Sequence, residues 1–181
     1  MFLWFIVMAL CVFADQLTKY IAVMFLRPVD TVPIISDVLH LTYSENPGAA
    51  FGILKDDRWV FMSISTVAIV AMLFVLIKFR PQDKLECLAI SLIVGGGIGN
   101  MIDRLILGYV VDFVDFRLIN FAIFNLADSC VCVGAGLLVV YAIRSMIAET
   151  KKEKVAAALE AEDAQAENDV EGSSENDDAE Q

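Results

Sequence analysis

Histidine is almost absent from this chain: the sequence of 181 residues holds one, His40. No HExxH helix motif exists, so a zinc protease site has no ligand set. Zinc is further disfavoured by the cysteines. Cys11, Cys87, Cys130 and Cys132 lie in or beside apolar blocks, and Cys130-Val-Cys132 is not a CxxC pair. They read as small buried hydrophobes. A Ser-His-Asp triad would have to use His40, with no nucleophile-elbow motif beside it. Ser129 has no lysine close in sequence for a Ser–Lys pair. A basic patch is also missing, which argues against nucleic acid as a partner. The N-terminus lacks the basic leader of a cleavable signal peptide, so Phe2–Val12 reads as the start of a retained span. No metal or other cofactor is expected.

Apolar residues, in contrast, are abundant, at 58% of the chain against roughly 45–50% in soluble domains. They fall into four blocks long enough for a hydrocarbon core: about Phe2–Leu26, Trp59–Ile77, Leu85–Leu107 and Phe121–Ile147. Trp4, Tyr20, Trp59 and Tyr141 stand near block ends, where amphipathic rings favour the interface. Lys78, Arg80 and Lys84 follow the second block, and Arg144, Lys151, Lys152 and Lys154 lie at the end of the fourth. The positive-inside rule makes both regions cytoplasmic, along with both termini.

The link after the first block is too long for a turn. Thr31-Val-Pro-Ile-Ile-Ser and Val38-Leu-His-Leu-Thr-Tyr read as short surface strands, and Asn46-Pro-Gly as a turn. The expected architecture is an all-α membrane protein with four transmembrane helices and a small extracytoplasmic β-cradle between spans one and two. The net charge of −11 comes from the end of the chain. Half of the acidic residues lie beyond Ala148, in a tail poor in large apolar side chains. That composition predicts disorder, and a division into a four-helix transmembrane body, 1–148, and a cytoplasmic tail, 149–181.

Ionisable groups inside spans cost several kcal/mol and are usually functional or paired. Asp15 and Lys19 stand four apart in the order that favours a helical ion pair. Gly95 and Gly99 give the third block a face without side chains, on which a neighbouring backbone can pack closely. Asn100 and Asp103 share a helix face, with Arg104 beside them. Asp112 lies just past the third span; Asn125 and Asp128 lie near the start of the fourth. A short connection lets the two carboxylates meet at one membrane face. Two carboxyl groups in a half-dry site share a proton. The ionised one can activate water while the other protonates a carbonyl oxygen. On residue types alone, a proton or ion pathway and a non-catalytic assembly protein stay open beside hydrolysis.

Asp15-Gln-Leu-Thr-Lys19, Asn46-Pro-Gly-Ala-Ala-Phe-Gly52, Gly99-Asn100-Met-Ile-Asp103-Arg104, Val110-Val-Asp112-Phe and Phe124-Asn125-Leu-Ala-Asp128-Ser129 occur in that order. Together they resemble lipoprotein signal peptidase, or signal peptidase II. The resemblance implies an aspartyl endopeptidase of the bacterial cytoplasmic membrane. Its substrates would be diacylglyceryl prolipoproteins, cut immediately before the lipidated cysteine. It implies Asp112 and Asp128 as the catalytic pair. Asp15, Lys19, Asn46, Asn100, Asp103, Arg104, Asn125 and Ala127 would support the site or the substrate. It also implies inhibition by globomycin-type peptides, an active site near the extracytoplasmic face, membrane lipid as the surroundings and a monomeric state. Asp115 lies three residues after Asp112, a spacing that can place both on one face; Asp112 holds the matching position in Val-Val-Asp-Phe.

Overall fold

The computed structural model describes residues 1–48 and 58–178, with no side-chain description at 58, 61 and 156–178. Part of the Asn46–Gly52 motif and the Lys55–Arg58 lead into span two lie outside the described residues. The element order is α1 (Phe2–Phe25), β1 (Thr31–Ile35), β2 (Leu39–Asn46), α2 (Arg58–Phe74), α3 (Lys84–Ile106), β3 (Val110–Phe116) and α4 (Leu126–Asp178). A π turn, Val75–Phe79, continues α2. Among the described residues, four helices are long and apolar enough to cross a membrane: Phe2–Phe25, Met62–Phe79, Lys84–Ile106 and Leu126–Val155.

The chain forms two compact units, Met1–Val139 and Val140–Gln181. In the second unit α4 runs on as helix to Asp178, through the stretch whose composition suggests disorder.

In the first unit α3 is the central element. Its start is fixed by Asp83, whose side chain accepts the Leu85 N–H at 2.7 Å. Half of its apolar window is buried, against 22% for α1; α3 therefore packs on protein where α1 is left mainly to lipid. Met8, Leu76, Cys87, Ile90 and Val94 form one core cluster across α1, the α2 extension and α3. Gly95, expected to admit a neighbour, does so, and Gly96, not singled out from the sequence, does the same. A Cβ on Gly95 would lie 2.7 Å from Cys11 Cβ and 3.2 Å from the Met8 carbonyl oxygen of α1. On Gly96 it would collide with the Ala127 carbonyl of α4.

The sheet corrects the all-α description and its confinement to the first link. It has three strands in the order β1-β2-β3, and the third comes from the connection between α3 and α4. Val110-Val-Asp-Phe-Val-Asp-Phe sets two carboxylates among β-branched and aromatic residues, and such a segment suits a pleated ribbon. Both pairings are antiparallel. A second cluster, Ala22, Leu26 and Val111, joins the end of α1 to β3.

The fourth helix starts at Leu126, five residues later than the apolar block suggests. Phe121–Asn125 lies outside the helix, and Phe124 bridges Val114 on β3. Apolarity alone does not separate an apolar strand segment from the helix that follows it; the polar cap at Asn125 marks the boundary.

Candidate active site

Asn125 and Asp128 build the start of α4 between them. The Asn125 side chain accepts the Asp128 N–H at 2.9 Å. The Asp128 carboxylate reaches back to the Asn125 N–H at 3.2 Å. This is a reciprocal capping box, with Asp128 in the first turn, where unpaired helix N–H groups favour negative charge. The physical reason for Asn-Leu-Ala-Asp is therefore local before it is chemical.

Asp112 arrives from β3. Its Oδ1 accepts Asn125 Nδ2 at 2.6 Å and its Oδ2 accepts Asn46 Nδ2 at 2.9 Å. Asn46 ends β2, and its own Oδ1 accepts the Gly48 N–H at 3.1 Å, closing the turn read at Asn46-Pro-Gly. The single residue Asn125 thus contacts both carboxyl groups. Asp112 is 2% exposed. Burial pushes its carboxyl up to about 6 against the pull of the Asn46 and Asn125 amides, and the nearby Asp128 charge adds to the rise.

Beneath the pair lies a buried ion triplet. Lys19 Nζ is 2.9 Å from Asp15 Oδ2 and 3.1 Å from Asp103 Oδ2, with all three side chains nearly inaccessible. Each carboxylate also holds a backbone N–H next to one of the paired aspartates. Asp15 Oδ1 accepts Ala127 N at 2.9 Å, one residue before Asp128. Asp103 Oδ2 accepts Val111 N at 3.0 Å, one residue before Asp112. Gly99 makes room for this: a Cβ there would stand 2.5 Å from Asp15 Oδ2. Asn100 links the layers, accepting from Lys19 Nζ at 2.8 Å and donating to Asp128 Oδ1 at 2.7 Å.

Arg104 donates to the Asn100 and Gly48 carbonyl oxygens, both at 3.3 Å. Its buried Nε has no partner among the described residues. Every site residue named from the sequence is therefore in one connected network, Ala127 through its backbone.

Asp115 is the exception among the aspartates. In a strand, residues three apart face opposite sides, so Asp115 does not share a face with Asp112. It pairs with His40 across β2, accepts from Thr42 Oγ1 at 2.8 Å and binds Arg117 Nε at 2.9 Å. Burial pushes its carboxyl up, but the Arg117 and Thr42 hydrogen bonds and the Arg117 charge outweigh that and hold it below the usual range. A bulge in β2 makes this sorting possible. Leu41 pairs with Val114 and Ser44 with Asp112, so Thr42 and Tyr43 together oppose Phe113.

Two sets of residues were not singled out from the sequence. Gln16 Nε2 donates to Asp103 Oδ1 at 2.9 Å and to the Gly99 carbonyl at 3.1 Å. Its place inside Asp15-Gln-Leu-Thr-Lys19, three residues before Lys19, was the available signal. The second set is the apolar wall of a cavity of about 510 Å³ that contains Asp112 and Asp128. Phe121, Ala122, Ile123, Phe124, Cys132 and Val133 line it beside Asn46, Asn100, Arg104 and Ser129. Nothing in an apolar block says which members face a cavity and which face lipid.

One buried and one half-buried carboxyl group, amide donors on each and an adjacent apolar cavity form a site suited to acid/base hydrolysis of an apolar substrate. Comparison with known proteins points the same way. The family model described as signal peptidase (SPase) II matches residues 7–144. A lipoprotein signal peptidase of Brevibacillus brevis is 43% identical over 137 residues, covering 75% of this chain and 92% of the relative. One of Caldanaerobacter subterraneus is 45% identical over 133 residues, covering 74% and 90%. A solved bacterial membrane enzyme superposes with a TM-score of 0.75 at 32% identity, covering 81% of this chain and 90% of that one. The chain therefore belongs to the signal peptidase II family.

Proposed function

We propose that this multi-pass membrane protein removes signal peptides from prolipoproteins as an aspartyl endopeptidase, with Asp112 and Asp128 as the catalytic pair. The observation that carries the reading is the convergence of those two carboxyl groups on Asn125 at the wall of one cavity. Asp128, in the first turn of α4, is the ionised member and takes the proton of the attacking water. Asp112, buried and with its carboxyl raised to about 6, is the protonated member and donates to the carbonyl oxygen. The Arg104 guanidinium places positive charge at the same cavity, where negative charge develops on the tetrahedral oxygen.

The substrate carries diacylglycerol on its cysteine and is cut immediately before that residue. The apolar wall of Phe121, Ile123, Phe124 and Val133 beside the carboxylates supports a ligand with one lipid-like and one peptide side. A substrate already anchored in the bilayer reaches the site by lateral diffusion. The sheet lies at the extracytoplasmic surface with both termini cytoplasmic, which the lysine and arginine distribution supports. The chain acts as a monomer, globomycin-type peptides compete for the cavity, and 149–181 is a cytoplasmic appendage outside the chemistry.

The test is cleavage of a diacylglyceryl prolipoprotein by the purified protein, followed as a size shift. Asp112→Asn and Asp128→Asn should each abolish it while the thermal transition persists. Full cleavage by either variant would remove the dyad. An ion flux lost in both variants, with no proteolysis in the parent, would move the site to ion conduction.

A further inference from the structure

The reaction proposed above needs one carboxyl group ionised and one protonated, and the next step rests on that reading. The hydrogen-bond directions around Asp128 trace back to one side chain. A lysine ammonium can only donate. Lys19 Nζ is 2.8 Å from the Asn100 side chain, so the atom facing it is Oδ1. The other end of that amide must then be its NH₂, and this end meets Asp128 Oδ1 at 2.7 Å. Asn125 is oriented independently: its Oδ1 accepts the Asp128 N–H, so its NH₂ faces Asp112.

We propose that Lys19 is a positioning residue that locks the Asn100 amide with its NH₂ toward Asp128, and so keeps Asp128 the ionised member of the pair. An NH₂ group stabilises a carboxylate. The same amide turned over would present an oxygen, which accepts a hydrogen bond only from a protonated acid. Lys19 exerts this control without hydrogen-bonding to either aspartate of the pair; its partners among the described residues are Asp15, Asp103 and Asn100. Asn125 Nδ2 is a second donor to Asn100 Oδ1, at 3.1 Å. Loss of Lys19 therefore loosens the lock rather than reversing it.

Other charges around Asp128 bear on any pH effect. Asp15 and Lys19 come from α1, Asp103 and Arg104 from α3, and Asp112 from β3. Arg104 leaves positive charge beside Asp128 when Lys19 is removed. The bland alternative is that Lys19 merely neutralises Asp15 and Asp103, and acts on the pair as a distant charge.

A double-mutant cycle separates the two. Lys19→Met, Asn100→Leu and the combined variant are assayed for kcat and KM across pH on a diacylglyceryl prolipopeptide in micelles. The lock predicts that the acid limb of the kcat profile moves up by about one pH unit in either single variant. It predicts no further shift in the combination, and KM within about two-fold of the parent throughout. Additive shifts, or an unmoved limb in Asn100→Leu, would overturn it. Should Lys19→Met not fold because it strands two buried carboxylates, Lys19→Met/Asp103→Asn keeps the net charge of the parent and takes its place in the cycle. Asn100→Leu leaves the triplet intact, and an unmoved limb in it overturns the lock even alone. Asp112→Asn is the control: activity in that variant defeats the dyad itself, whereas an inactive Asp112→Asn with unmoved limbs elsewhere defeats only the lock.

Discussion

The carboxylate of Asp15, on the first helix, accepts the backbone N–H of Ala127, on the last, at 2.9 Å. The contact caps a helix start from outside that helix, and it sits one residue from Asp128. Asp15→Ala should lose the cap and leave Lys19 with one fewer counter-charge, in a site where breaking a buried pair costs about 3–5 kcal/mol. Cleavage should fall about 100-fold or more and the melting temperature should drop. Asp15→Asn, which keeps an acceptor for Ala127, should lose less. Equal activity in Asp15→Ala and the parent would remove this contact from the mechanism.

Gly99→Ala should be among the most damaging small substitutions, because its Cβ would stand 2.5 Å from Asp15 Oδ2 and 3.0 Å from its Cγ. Gly136→Ala is the matched control, since nothing lies within 4 Å of the added atom. It should be neutral or stabilising by up to about 1 kcal/mol on helix propensity. Thermal melts and cleavage rates of the two variants check the contrast.

The Asn46 amide donates to Asp112 and favours its ionised form, while burial is the larger and opposite effect. Asn46→Ala should therefore raise the Asp112 carboxyl further above 6. In the proposed mechanism the active form holds that proton, so the alkaline limb of kcat/KM, which reports the free enzyme, should move to higher pH. A limb that moves down would contradict the assignment of Asp112 as the acid.

Stability should carry the same signature. A carboxyl raised to about 6 in the folded protein, from an ordinary value of 3.8, contributes stability fully below pH ~4. That contribution is lost as pH rises through about 6. Asp112→Asn should therefore melt higher than the parent at pH ~7.5, by about 1–3 kcal/mol. The advantage should vanish near pH ~4. Melting curves at the two pH values, read alongside the loss of cleavage, test both halves.

Asp115→Asn gives the complementary outcome. Its carboxylate is engaged by Thr42 and Arg117 on the other side of the sheet, so cleavage should stay within about three-fold of the parent. A collapse of activity with an unchanged melt would bring Asp115 into the chemistry.

The spans were legible because about 20 consecutive apolar residues have few other uses, and the found helices agree with the apolar blocks at most ends. The strands of the first link were legible from β-branched runs between turn residues. The third strand was not. Val110–Phe116 reads as a connection until its partner on β2 is known, and sheet pairing is a long-range property. The site residues were visible as polar groups in apolar surroundings, but their roles in the network were not. That Asp103 reaches Val111 and Asp15 reaches Ala127 depends on backbone N–H groups, which every residue has and no sequence advertises. The late start of α4 was missed because Phe121–Phe124 is as apolar as the helix beyond it.

The bulge at Thr42 and Tyr43 has a consequence for how this enzyme can diverge. One surplus residue in β2 gives the ribbon two sides with separate duties, one facing the carboxylate pair proposed for hydrolysis and the other holding a Thr–Asp–Arg clamp. Exchanging side chains there perturbs a single contact. Losing or gaining one position would slide the neighbouring edge by half a pleat and carry Asn46 away from Asp112. Drift in this segment is thus tolerant of spelling and intolerant of length.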